Sequence, residues 1–251
     1  MLRLFFMLMN AIRMSKAAMS TSSGKKGALI FLHGLGDTPD GWSELEYSLP
    51  NLRPKLEEIA FVFPPAPVIP ITINGGMKMP GWFDLYDWPI AVGSRDDKAG
   101  LLRGVDQIRQ EISKLNQQGI PTNKIVVGGF SQGGAVALLT AYRKSTSGSD
   151  EPLAGCVGLS AWLTLPMELD VSMKVAQKTP LFWGHGRFDD KVLFPQQRFG
   201  VEKLRAAGVT VTDEQYDMGH SSHPQELRTM AEFVENVIFG TANSNAANQD
   251  L

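Results

Sequence analysis

From residue 27 onward the chain alternates short apolar runs with helical patterns, and this rhythm limits the folds it can adopt. Buried strands are predicted at ALIFLHG (28–34), IAFVFP (59–64), KIVVGGF (124–130), LAGCVGL (153–159), PLFWGHG (180–186) and VTVTDEQY (209–216). Each is short, apolar or β-branched, and bounded by turn residues. Between them, Leu101, Val105, Ile108, Ile112 and Leu115 recur at helical spacing, and Gly119-Ile120-Pro121 stops that helix after about 20 residues. Thr38-Pro39 reads as the cap and first position of a helix through about Tyr47. GGAVALLTAYRK (133–144), 196–207 and 224–238 complete the helices, the last with Leu227, Met230, Val234 and Val237 on one face. Strand and helix in strict alternation imply a mostly parallel sheet flanked by helices, in one α/β domain.

Two stretches break the rhythm. PPAPVIPITINGGMKMPGWFDLYDWPI (64–90) is too rich in Pro and Gly for a regular element, and a long irregular segment in a compact domain is usually functional. STSGSDE (145–151) reads as a surface loop. Outside the domain, the tail 241–251 is polar and expected to be disordered. Residues 1–26 carry Arg3, Arg13, Lys16, Lys25 and Lys26 and no acid. With 24 basic and 26 acidic residues in all, the remainder holds 19 against 26, a net charge of −7 behind the overall −2. The leader is thus set apart from the body (27–240) as a plain extension, with Met14 or Met19 as the working start, a transit peptide, or a short secretion signal. Its apolar run is too short to span a bilayer. The expected compartment is the cytoplasm, with an organelle reached through residues 1–26 as the alternative.

The charge balance gives no pull toward nucleic acid. A single cysteine, Cys156, excludes an internal disulfide and any Cys-based zinc cluster. It falls within a predicted buried strand and reads as core filler. The four histidines show no metal-ligand spacing, and no cofactor or metal is expected.

Chemistry enters where a strand meets a helix. Gly129-Phe130-Ser131-Gln132-Gly133 is a G-x-S-x-G sequence between KIVV and a helix that opens on glycines. The pattern alone is common, but this context is what a nucleophile elbow requires. A serine hydroxyl needs a positioned base, and in this arrangement the partners follow in the order serine, acid, histidine. Only His220 and His223 lie far enough along; His33 and His185 precede glycines at strand ends and suit structural hydrogen bonds. His223 precedes Pro224 and reads as a helix cap, so His220, in the loop after the last strand, is the expected base. The acid should follow the strand PLFWGHG, where Asp189 and Asp190 compete and spacing does not separate them. For the oxyanion, the backbone N–H of Gln132 is one expected donor. The N–H of Leu35 in His33-Gly34-Leu35-Gly36-Asp37 is the other.

Together FLHGLGDTPDGW (31–42), residues 64–84, GIPTNKIVVGGFSQGGAVAL (119–138), GLSAWL (158–163), HGRFDDKV (185–192) and MGHSSHPQE (218–226) resemble the acyl-protein thioesterases and related carboxylesterase/lysophospholipases of the α/β-hydrolase fold. The resemblance covers roughly residues 27–238. Matched position by position, it implies Ser131 as nucleophile, Asp189 rather than Asp190 as the acid, His220 as the base, and Leu35 and Gln132 as oxyanion donors. It departs from some relatives in lacking a proline after the acid. It implies long-chain acyl thioesters of S-acylated proteins as substrates, with lysolipids or small esters as the alternative. A silent apolar-ligand-binding module on the same fold is the reading from another class.

Residues 64–90 hold Ile69, Ile71, Met77, Met79, Trp82, Leu85 and Trp88, more apolar bulk than a solvated loop should show. Ile73, Met77, Met79 and Trp82 are the expected substrate contacts, unless such residues simply pack over the sheet. Transient contact with a membrane surface and a monomer or weak homodimer complete the expectations.

Overall fold

The computed structural model describes residues 24–144 and 151–240. The expectations for the leader, the C-terminal tail and most of the 145–151 loop fall outside these residues.

In chain order the elements are β1 (Gly27–Leu32), α1 (Asp40–Ser43), α2 (Leu45–Leu52), β2 (Ile59–Val62), β3 (Val68–Ile71), β4 (Met77–Pro80), α3 (Lys98–Gln117), β5 (Ile125–Phe130), α4 (Gln132–Tyr142), β6 (Gly155–Leu159), α5 (Met173–Lys178), β7 (Leu181–Gly186), α6 (Pro195–Ala206), β8 (Val211–Tyr216) and α7 (Pro224–Phe239). Six strands form one sheet in the order β2-β1-β5-β6-β7-β8. All of its pairings are parallel. The domain has the α/β-hydrolase fold.

Both faces of this sheet are covered, which is why its strands read as nearly continuous apolar runs. On β1, Ala28, Ile30 and Leu32 pack with α3, α4, α5 and α6 on one side, while Leu29 and Phe31 pack with α2 and α7 on the other. Helix α4 lies deepest, with all eleven residues buried, so no polar stripe marks it in the sequence. In α3 the predicted stripe is buried except Ile112, which is partly covered; the Asp97 carboxylate caps the helix by accepting from Gly100 N–H.

Two expectations need correction, and one helix was not expected. Residues 64–90 do contain regular structure: β3 and β4 form an antiparallel ladder with Ile69 opposite Met79. A two-stranded ribbon has two free edges, so Pro70 and Pro80 can sit where no ladder donor is required. The first helical stretch starts with Pro39 already in helical geometry and runs, with a break at Glu44, to Leu52 rather than Tyr47. Helix α5, capped by Ser172, had no apolar period long enough to reveal it.

The strand order sets the place of the site. From β1 the chain builds outward through β2 on one side, then returns to β5 and builds the other way. The β1–β5 boundary is therefore the topological switch point, where open α/β sheets form their crevice beyond the strands' carboxyl ends. Leu35 follows β1 and Ser131 follows β5.

Candidate active site

Ser131 sits between β5 and α4 with φ 53° and ψ −122°. A residue with a side chain rarely adopts this backbone conformation, which costs of the order of 1–3 kcal/mol. The surrounding packing holds it there. A Cβ on Gly129 would lie 2.5 Å from the carbonyl carbon of Gly133, and one on Gly133 would strike the carbonyl oxygens of Leu32 and His33. Only glycine lets the elbow close on itself and against the end of β1. The Ser131 N–H donates to the Leu159 carbonyl (2.9 Å), fixing the turn to β6.

His220 reaches the serine from the loop after β8. Its Nε2 is 2.9 Å from Ser131 Oγ and its Nδ1 is 2.7 Å from Asp189 Oδ2. The ring leans on Phe130, with centroids 4.7 Å apart. Asp189 is buried, and its Oδ1 accepts the N–H groups of Lys191 and Val192, each at 2.9 Å. Burial alone would raise this carboxyl. The hydrogen bond and charge of His220, joined by the two backbone donors, outweigh it and hold Asp189 below the usual carboxylate value. Asp190 points to solvent and pairs with the Lys191 ammonium at 2.9 Å. The turn after β7 thus aims one aspartate inward and the other outward, a distinction that spacing from the strand end does not contain.

The Leu35 N–H donates to no protein acceptor among the described residues, and the Gln132 N–H lies in the first turn of α4, where no intrahelical partner exists. The Gln132 side chain has a separate task that the sequence did not disclose. Fully buried, it accepts from Trp82 N–H (2.8 Å) and donates to the Phe83 carbonyl (2.6 Å), while Gly36 N–H donates to the Pro80 carbonyl (2.8 Å). The elbow, the loop after β1 and the hairpin are clamped into one body.

A cleft of about 490 Å³ opens beside Ser131 and His220, with apolar walls that include Leu35, Leu85, Trp88, Ile90, Trp162 and Val192. Its volume is that of a small-molecule site. Among the four contacts expected from the sequence, none lines it. Trp82 is buried beneath the site, where its indole N–H donates to the His33 carbonyl (2.9 Å). Ile73 and Met79 pack against the core, and Met77 is exposed on the hairpin. The cleft walls come from the loop after β1, the loop after β4 and the turns after β6 and β7.

His33 and His223 hold structure. His33 Nδ1 pairs with the Gly34 carbonyl and its Nε2 accepts from Ala66 N–H. His223 caps α7, its Nδ1 accepting from Gln225 N–H. Cys156 is fully buried, and burial pushes its thiol far up. Among the described residues, no group of three His, Cys, Asp or Glu side chains could hold a metal ion.

Known proteins match this arrangement. Residues 15–238 fit the model of the phospholipase/carboxylesterase family. The chain belongs to that family. This member is 38% identical over 225 residues to a protein named acyl-protein thioesterase 1 from Mycosarcoma maydis, a match covering 84% of this chain and 90% of that one. The crystal structure of Arabidopsis thaliana SOBER1 superposes with a TM-score of 0.76 at 28% identity, covering 84% and 99% of the two chains. That of Zea mays acyl-protein thioesterase 2 does so with a TM-score of 0.72 at 30% identity, covering 87% and 96%. As a phospholipase/carboxylesterase family member with this serine–histidine–aspartate network, the protein is a serine hydrolase.

Proposed function

We propose that this serine hydrolase removes long-chain acyl groups from S-acylated proteins, with Ser131 as nucleophile, His220 as general base and acid, and Asp189 as its orienting carboxylate. The relay from Asp189 Oδ2 through His220 to Ser131 Oγ, at 2.7 and 2.9 Å, carries the reading. His220 Nε2 takes the hydroxyl proton as Oγ attacks the acyl carbonyl. Asp189 keeps the proton on Nδ1 and stabilises the imidazolium. The Leu35 and Gln132 N–H groups receive the oxyanion, each worth about 2.7–4 kcal/mol of barrier stabilisation. Collapse expels the cysteine thiolate, which leaves with the proton from His220. A water activated by the same histidine then hydrolyses the acyl-enzyme. No cofactor is needed for these steps.

The apolar cleft supports an acyl chain as the bound part of the substrate, with Leu85, Trp88, Ile90, Trp162 and Val192 as its contacts in this reading. The names of the relatives support a protein thioester. The family's own description supports a second reading, a lysophospholipase or general carboxylesterase. Comparing kcat/KM on a palmitoylated peptide and on a lysolipid separates the two. Substrate would be met by transient contact with a membrane surface; among the described residues no helix is long and apolar enough to cross one. The protein would act as a monomer or weak homodimer, in the cytoplasm or in an organelle reached through residues 1–26. Ser131→Ala is expected to lower kcat by roughly 10⁶ and to abolish labelling by a fluorophosphonate probe. Near wild-type hydrolysis by that variant would refute the assignment.

A further inference from the structure

A second histidine contacts the carboxylate of the relay. His185, the penultimate residue of β7, is fully buried. Its Nε2 lies 2.8 Å from the Val192 carbonyl and 3.4 Å from Asp189 Oδ2, the oxygen that also faces His220. A carbonyl can only accept, so Nε2 carries the proton and Nδ1 the lone pair. That Nδ1 is buried and has no hydrogen-bond partner among the described residues. The ring meets the edge of Phe194, with centroids 6.1 Å apart.

The bonds made by Val192 give this contact reach. Its N–H donates to Asp189 Oδ1, its carbonyl receives His185, and its side chain lines the cleft. One residue earlier, the Lys191 carbonyl accepts from Ile90 N–H, and Leu193 N–H returns a bond to the Ile90 carbonyl. His185 therefore grips the one turn that both supports Asp189 and joins it to the cleft wall. Asp189 and His220 are the titratable groups acting on its ring, and burial lowers its proton affinity. A second proton would place an unsatisfied N–H donor in a fully buried site and a second cation beside Asp189, competing with the imidazolium of His220. The orphaned Nδ1 favours the neutral ring.

We propose that His185 is a positioning residue for hydrolysis: its neutral Nε2–H holds the Asp189–Val192 turn so that Asp189 meets His220 rather than rotating away. The proposal rests on the serine-hydrolase reading above but not on the identity of the acyl substrate.

The test uses the full chain and a short-chain p-nitrophenyl ester, which needs the relay but no palmitoyl thioester. His185→Phe fills the slot without the N–H. It is expected to lower kcat about tenfold to a hundredfold, as small misplacements of catalytic groups do, with KM unchanged. The acid limb of the kcat/KM–pH profile, which reports protonation of the base, should move to lower pH, because an imidazolium that loses its carboxylate forms less readily. In His185→Gln the amide nitrogen falls where Nε2 stood, so kcat should recover; in His185→Asn it falls where Nδ1 stood, so kcat should stay low. If His185→Phe does not fold, the Gln and Asn variants decide by the same criterion. Equal kcat for those two, or wild-type kcat and pH profile in His185→Phe, would overturn the proposal. Activity persisting in Ser131→Ala would instead overturn the hydrolase reading, so the two failures are distinguishable.

Discussion

Asp189 and Asp190 are neighbours in sequence and opposites in environment. Asp189→Asn keeps the shape but cannot fix the His220 tautomer or stabilise its charge, and a loss of about 10⁴ in kcat is expected. Asp190→Asn removes an exposed partner of Lys191 and should stay near wild type, as surface changes do. Steady-state kinetics on one ester checks both, and equal losses would show that the inward carboxylate has no special role. Sequence order set aside His33 and His185, and the Pro224 that marks His223 as a helix cap brought His220 forward. Neither could separate two adjacent aspartates, because the difference lies in the direction of a turn. The Gln132 side chain was unreadable for a related reason: its partners are main-chain atoms of Trp82 and Phe83, about fifty positions away. Gln132→Ala would leave that buried N–H and carbonyl unsatisfied, at about 1–3 kcal/mol each. Urea unfolding should show a destabilisation of about 2–6 kcal/mol, even though the backbone N–H at 132 is retained.

At the scale of elements, the loop carrying His220 runs directly into α7, so the start of that helix bears on the site. Glu226 closes a capping box there: its Oε2 accepts from His223 N–H (3.2 Å), while its Oε1 is buried against Gly184 of β7 without a partner among the described residues. Burial lifts the carboxyl to about 8, against the pull of the His223 N–H and with a further push from the charge of Glu214. The folded protein therefore keeps a proton that the unfolded chain loses above about pH 4.5. Stability from this group is full below pH 4.5 and is lost as pH rises through 8. Glu226→Gln, which cannot ionise, should flatten that slope. Its advantage over wild type should grow by the order of 3 kcal/mol between pH 4.5 and 7, read as urea midpoints across a pH series. A parallel slope in both proteins would place the ionisation elsewhere. The cap itself was legible, since His223 stands before Pro224 and three residues before Glu226. The buried, protonated state was not, because it depends on β7 pressing from another part of the chain. The β3–β4 hairpin escaped for the opposite reason: its prolines argue against a strand in any sheet with neighbours on both sides, and only a free ribbon tolerates them.

At the scale of the whole molecule, charge and cleft give different instructions. Residues 27–251 carry a net −7, so the body has no electrostatic attraction for an anionic surface, and selection of an acyl substrate falls to the apolar cleft. Apolar burial scales with chain length, at about 0.8 kcal/mol per methylene. If that energy is available in the transition state, kcat/KM should rise about fourfold for each added methylene. The rise must end where the chain outgrows a cleft of about 490 Å³. A series of uncharged thioesters from C2 to C18, kept below their aggregation concentrations, is expected to climb steeply and then level off. Trp162→Ala should lower the plateau while leaving the C2 rate unchanged, if a two-carbon acyl group on Ser131 ends short of Trp162. Because the acyl chain carries no charge, Asp37 and Lys191 in the cleft lining form no ion pair with it, and the climb should be the same at low and high salt. A flat series would mean that acyl groups do not occupy this cleft. A climb that collapses with added salt would point to charge rather than apolar contact as the source of selectivity.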